Sequence, residues 1–559
     1  MTSCTIRRGR VVRVGTEHLS LSDGLRTPRP ARNRISMVSR AFRRRMTVAV
    51  VAMSAAVLTG CGGSASSAAT DQTADPNGQL RVGFVIPPAP LNPHKVASDI
   101  GTYPYLAPVY DRLTQMVAGE NGAQLAPMVA TEWTFAPDGL SATFTLREDV
   151  TFSDGAKLDA AAVKANLDHA LQTPDSTAKS YLSVIESSEV VDPTHVVIRT
   201  TRPAADLPYV LSGAAGSLIS PAALNNSDLD VKPVGSGPYV ATSVKIGDSV
   251  TYERREGYWD PSAQSAKTIT ITGIVDDNAR LNALRSGQLD LAYSTVTSYK
   301  QGSALGRGFD FYSYPEANVY ALQLNTSKPN VDNAKFRQAL NYAVDREGIS
   351  KSLTSGQCVP NGQPLAPERV GHLSDPPVDY TYDPQRAREL LAEAGIQNAT
   401  LNVVIPSGLS LQEGLASALQ AQFREVGVDM QIQQADAATS SANYAQGAYD
   451  GYVQSRTPLP ASNQSLARFY LNPRSFPGPV PEELRDAVLA SYDPNVDESA
   501  RDDAIRRAAS VATEDALDVF ICAVPTQFAL SNKVIDIGSM GVSNFQGIFD
   551  LRYVGIAAK

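Results

Sequence analysis

Cysteine, tryptophan and histidine are all scarce: four, two and five in 559 residues. Scattered thiols, with no two within a few residues of each other, exclude a disulfide-stapled mini-domain and a cysteine-rich zinc site. Beyond the first 60 residues the histidines are His94, His169, His195 and His372, and none has the spacing of metal ligands. A Gly-x-Ser-x-Gly elbow and a phosphate-binding loop are both missing. These gaps lower the prospect of an enzyme without excluding one, because catalytic triads assemble from distant residues. No catalytic residue, cofactor or metal is assigned. Twelve of the 49 basic and two of the 57 acidic residues fall in residues 1–60, which leaves 37 basic against 55 acidic, a net −18. Phosphate backbones demand clustered Lys and Arg, so a nucleic-acid partner is not expected. No apolar run reaches the ~20 residues of a membrane-spanning helix.

What is present begins with the short apolar run Thr47–Leu58, preceded by Arg40, Arg43, Arg44 and Arg45. A basic segment, a brief apolar core and small residues before a cut describe an export leader. Leu58-Thr59-Gly60-Cys61 resembles the lipobox of bacterial lipoproteins, which implies cleavage before Cys61 and a diacylglyceryl group on its thiol. Two acyl chains anchor a protein stably where one does not. The expected location is the outer face of the cytoplasmic membrane. Residues 1–36 are basic and aperiodic, and the leader begins naturally at Met37; a disordered cytoplasmic extension is the alternative. Residues 62–78 are small and polar, a coil with a reach of about 20–25 Å.

Nearly five hundred residues after Cys61 exceed what one core sustains, so two or three domains are expected. "LSATFTLRE" alternates Leu140, Ala142, Phe144 and Leu146 with polar partners, the period of a half-buried strand. "ATLNVVIPSG" reads as a strand. The stripe Leu411, Leu415, Leu419, Phe423 and Val426 then predicts a helix closed by Gly427, and "VDMQIQQ" a second strand, the unit of a parallel sheet. In "YDPQRARELLAEAG", Asp383 caps, Pro384 suits the first turn and Gly395 ends the helix. Asp276 and Asp277 stand directly before a helix, where capping is favoured over acid–base work.

Five stretches in order resemble the family 5 extracellular solute-binding proteins of bacterial ABC importers, the oligopeptide, dipeptide and nickel receptors. They are "LAPMVATEWTFAPDGLSATFTLREDVTFSDGAKLDAAAVKANLDHAL", "KPVGSGPYVATSVKIGDSVTYERREGYWD", "ARLNALRSGQLDLAY", "LQLNTSKPNVDNAKFRQALNYAVDREGI" and "YDPQRARELLAEAG". The resemblance implies an α/β, two-lobed periplasmic-binding-protein type II fold (cluster C) with an extra domain inserted in the first lobe. It places lobe one at residues 80–118, 232–321 and 523–559, the insertion at 119–231 and lobe two at 322–522, after an extension and leader at 1–60 and a linker at 61–79. The first crossover is expected near Tyr320–Asn325 and the return near Cys522–Pro525.

The implied function is a lipid-anchored, monomeric receptor that captures a small or peptide-like solute and delivers it to a membrane permease without covalent chemistry. A secreted hydrolase or a signalling adaptor on the same scaffold is the alternative. In the family's peptide receptors an Asp accepts the peptide ammonium; here the corresponding segment reads "YDGYVQSRTPLPASNQ", with no acid between Asp450 and Glu482. The expected solute is therefore neutral or anionic, with Tyr320 and Tyr452 offering faces and hydroxyls, Asn325 and Gln454 amides, and Arg456 a partner for a carboxylate or phosphate. The other reading of Arg456 is a solvated loop residue with a carboxylate reaching in from elsewhere. Cys358 and Cys522 are either a disulfide, permitted outside the cytoplasm, or two free buried thiols.

Overall fold

The computed structural model describes residues 73–95, 101–119, 122–174, 176–367, 369–543 and 548–558. The leader, Met37 and Cys61 lie outside the described residues. Among the described residues no helix is long and apolar enough to cross a membrane.

Two sets of parallel strands share one large mixed sheet. In the first lobe Gln79–Phe84 runs parallel to both Thr268–Gly273 and Leu291–Ser294. In the second lobe Ala399–Pro406 runs parallel to Val428–Ala435 and Gly451–Arg456. The helix Ser410–Glu425 joins two of these strands and buries Leu415, Leu419 and Phe423, while Leu411 is half-buried. Gly427, at φ +88°, supplies the left-handed turn that returns the chain to the sheet. Asp383 accepts hydrogen bonds from the backbone N–H groups of Gln385 and Arg386, starting the helix Pro384–Glu393.

Two long antiparallel strands, Phe309–Leu324 and Asp518–Ser531, join the lobes. Their outer halves pair in regular register, but the register shifts between Ser313 and Asn318 and again after Tyr320. The first irregularity lies a few residues ahead of Tyr320–Asn325, where the crossover was expected. The return strand passes through Cys522–Pro525. Cys358 and Cys522 are bonded, with Cα atoms 5.4 Å apart, beside the short pairing of Val359–Pro360 with this strand.

A separate antiparallel sheet of Ala130–Phe135, Ser141–Leu146, His195–Thr200 and Ile185–Asp192 stands within the 119–231 segment. Ala142, Phe144 and Leu146 point inward, while Leu140 precedes the strand and is exposed. This sheet shares one continuous apolar core with the first lobe. Gly235 and Gly237 pass so close to the backbone of Pro108 and Val109 that a Cβ at either would collide with it.

Candidate functional site

A cavity of about 1180 Å³ opens where the C-terminal ends of both parallel strand sets converge. The first lobe contributes Ile86, Val275–Asn278 and Thr295–Ser298, each just past a strand end; the second contributes Gly408–Gln412, Tyr444 and Gln454–Thr457. Asn318, Tyr320 and Gln323 reach it from one crossing strand and Val524–Thr526 from the other. Strand C-termini are where open α/β sheets bind ligands, because the loops leaving them are free to vary.

Of the sequence-predicted residues, Tyr320, Tyr452, Gln454 and Arg456 line this cleft. Gln454 is held from three sides: its Oε1 accepts from Gln412 Nε2 at 3.1 Å and from Ser455 N–H at 2.9 Å, and its Nε2 donates to the Tyr452 hydroxyl at 3.3 Å. Tyr444 and Tyr452 form an aromatic wall with ring centroids 5.5 Å apart. Burial raises the hydroxyl pKa of Tyr320, Tyr444 and Tyr452, which keeps all three protonated and able to donate.

Two expectations need correction. Asn325 is fully buried and is not among the cleft-lining residues; its Oδ1 accepts from the N–H and hydroxyl of Ser327, so it caps the turn that ends the crossing strand. Arg456 is neither solvated nor available to a solute anion. Its Nε and Nη2 donate to Asp518 at 2.9 and 2.6 Å, and its Nη1 to the carbonyls of Phe469 and Ser475. Burial alone lowers its pKa, but the charge and hydrogen bonds of Asp518 outweigh that and raise it.

Asp276 caps the following helix by accepting from Ala279 N–H at 2.7 Å. Asp277 accepts from Arg280 and Thr295. Sequence reasoning missed Asn318, Tyr444, Arg468 and Arg474 in the cleft. Asn318 is placed by the crossing-strand bend, Tyr444 by the helix Ala437–Ala445, Arg468 by the short π-helix Ala467–Leu471 and Arg474 by the turn after it, none of which a local pattern announces.

The chain matches the bacterial extracellular solute-binding proteins, family 5 (Middle), over residues 124–476. It belongs to this family. The glutathione-binding protein GsiB of Salmonella paratyphi A is 33% identical over 322 residues, covering 56% of this chain and 62% of that protein. GsiB of Escherichia coli K12 is 32% identical over 326 residues, 57% and 63% of the two chains. The matches thus span under two thirds of these relatives. Among solved structures, CtaP of Listeria monocytogenes covers 87% of this chain and all of its own at TM-score 0.75 and 21% identity. DppA of Helicobacter pylori, in complex with peptide STSA, covers 86% of this chain and 98% of its own at TM-score 0.73 and 20% identity. At that identity the likeness shows the fold, the two-lobed type II periplasmic-binding-protein class.

Proposed function

We propose that this family 5 protein is the substrate-binding component of an ABC importer, which captures a small peptide-like or other organic solute between its lobes and passes it to a membrane permease. The observation that carries the reading is the convergence of both parallel strand sets on one cleft, with two crossing strands able to act as a hinge at the register shifts between Ser313 and Asn318. Hinge closure of this kind encloses a ligand by bringing two half-sites together.

The leader and Cys61 support a lipid tether outside the cytoplasmic membrane, which would keep a monomeric receptor close to its permease. Tyr320, Tyr452 and Gln454 present ring faces, hydroxyls and a fixed amide, the groups that recognise organic solutes rather than bare cations. The GsiB relatives are named for binding glutathione, a peptide-like acid, in keeping with that class. Native mass spectrometry of the gently purified chain is expected to find one retained organic molecule per polypeptide. A chain that arrives without a solute and binds no peptide, glutathione or other organic acid from a broad panel contradicts the reading.

A further inference from the structure

Resting on the importer reading, we propose that the cleft selects a carboxylate-bearing solute without a required free ammonium, its anionic end held by Arg474 and its N–H or O–H groups by Asn318 and Tyr444.

The charge balance of the second-lobe wall leads to this. Arg456 is spent on Asp518, so the pair presents no net charge to a solute. The second lobe supplies a further guanidinium to the same cleft, that of Arg474. Arg474 is exposed, and its guanidinium makes no ion pair or hydrogen bond among the described residues. Among the described residues lining the cleft, the second lobe contributes no acid. The acids that line the cleft, Asp276 and Asp277, belong to the first lobe and are already engaged, Asp276 as the cap of the helix Asp277–Arg285 and Asp277 with Arg280 and Thr295. A carboxylate therefore gains charge-assisted hydrogen bonds on the second lobe, and an ammonium meets no opposite charge there.

A second, independent observation lies deeper in the cleft. Asn318 is 2% exposed and Tyr444 1%, and both line the cavity, yet the Asn318 Oδ1 and the Tyr444 hydroxyl have no hydrogen-bond partner. Buried polar atoms are seldom left unpaired, and such an exception inside a binding cavity points to a ligand atom. Oδ1 only accepts, so the solute must donate to it; a peptide-type N–H serves. Anion recognition and donor recognition together describe an amide-containing acid.

Isothermal titration of the full chain with N-acetyl-alanyl-alanine and N-acetyl-trialanine, against alanyl-alanine amide and trialanine amide, tests this. The acids are expected to bind at least about tenfold tighter than the amides, and Arg474→Gln to remove most of that preference. Tyr444→Phe should weaken acid binding by about threefold or more without lowering the thermal midpoint, since it deletes an unpaired hydroxyl and keeps the ring. Amides that bind as tightly as acids, or an Arg474→Gln variant with unchanged preference, overturn the proposal. So does binding by neither series. If a solute recovered by native mass spectrometry nevertheless closes the lobes in solution scattering, only this assignment falls and the importer reading stands.

Discussion

Asp206, in the segment that carries the separate four-stranded sheet, accepts a hydrogen bond at 3.1 Å from Gln464 Nε2 of the second lobe, with both side chains buried. Next to it the Arg202 guanidinium stacks 4.0 Å from the ring centroid of Tyr492, whose carbonyl accepts from Ala205 N–H at 3.0 Å. Asn495 Nδ2 adds a bond to the Pro137 carbonyl at 3.0 Å. The two lobes thus touch away from the crossing strands as well as through them. Asp206→Ala leaves the Gln464 amide without this partner and is expected to cost closure about 1–3 kcal/mol. Solution scattering should show a larger radius of gyration for the variant, and titration a weaker affinity.

The Arg456–Asp518 pair is a matter of stability. Both side chains are buried, and Tyr470 donates a further hydrogen bond to Asp518 at 3.1 Å. Removing one partner strands the other's charge in the interior, so Asp518→Ala should lower stability by about 3–5 kcal/mol in urea unfolding. Arg456→Lys keeps the charge but loses the bidentate geometry and should fall between the variant and the parent.

Acid should weaken the fold through a buried histidine pair. The Nδ1 atoms of His94 and His169 lie 2.8 Å apart. Burial first, and then the charge of His169, hold the His94 imidazole down to about 3 from an ordinary 6.5; burial also lowers His169. Between those values the unfolded chain binds the proton and the folded chain does not. The contribution is therefore full above pH 6.5 and is lost as pH falls toward 3, at up to ~1.4 kcal/mol per pH unit for one proton. Urea midpoints from pH 7 to pH 5 should drop more steeply for the parent than for His94→Gln.

Cys358 and Cys522 close a loop with a sequence separation of 164. Their Cα separation of 5.4 Å lies within the range a disulfide spans. In the chain-entropy account such a bridge contributes about 4–5 kcal/mol. Denatured, unreduced protein lacking the leader and its Cys61 is expected to show no free thiol, and reduction to lower the thermal midpoint. Two titratable thiols before reduction would contradict this.

Legibility in the sequence followed the range of the interactions. The helix Ser410–Glu425 and the cap at Asp383 are readable because an apolar stripe at helical spacing and an Asp-Pro step are local signals. Tyr320 could be placed in the cleft from the expected crossover, and Tyr452 and Gln454 from the register of the segment after Tyr449-Asp450. Arg456 could not be resolved, since its partner Asp518 is 62 residues away at the start of the return crossing strand and nothing local announces the pairing. Asn325 fails for the opposite reason: its side chain bonds two residues onward, a turn habit that competes with any role facing the cleft.

The central claim is that the two lobes close around an organic solute. Small-angle scattering of the chain, with and without saturating solute recovered by native mass spectrometry, tests it most directly. The radius of gyration is expected to fall and the maximum dimension to shorten with solute bound. Superimposable profiles for a solute that titration shows to bind tightly would contradict it.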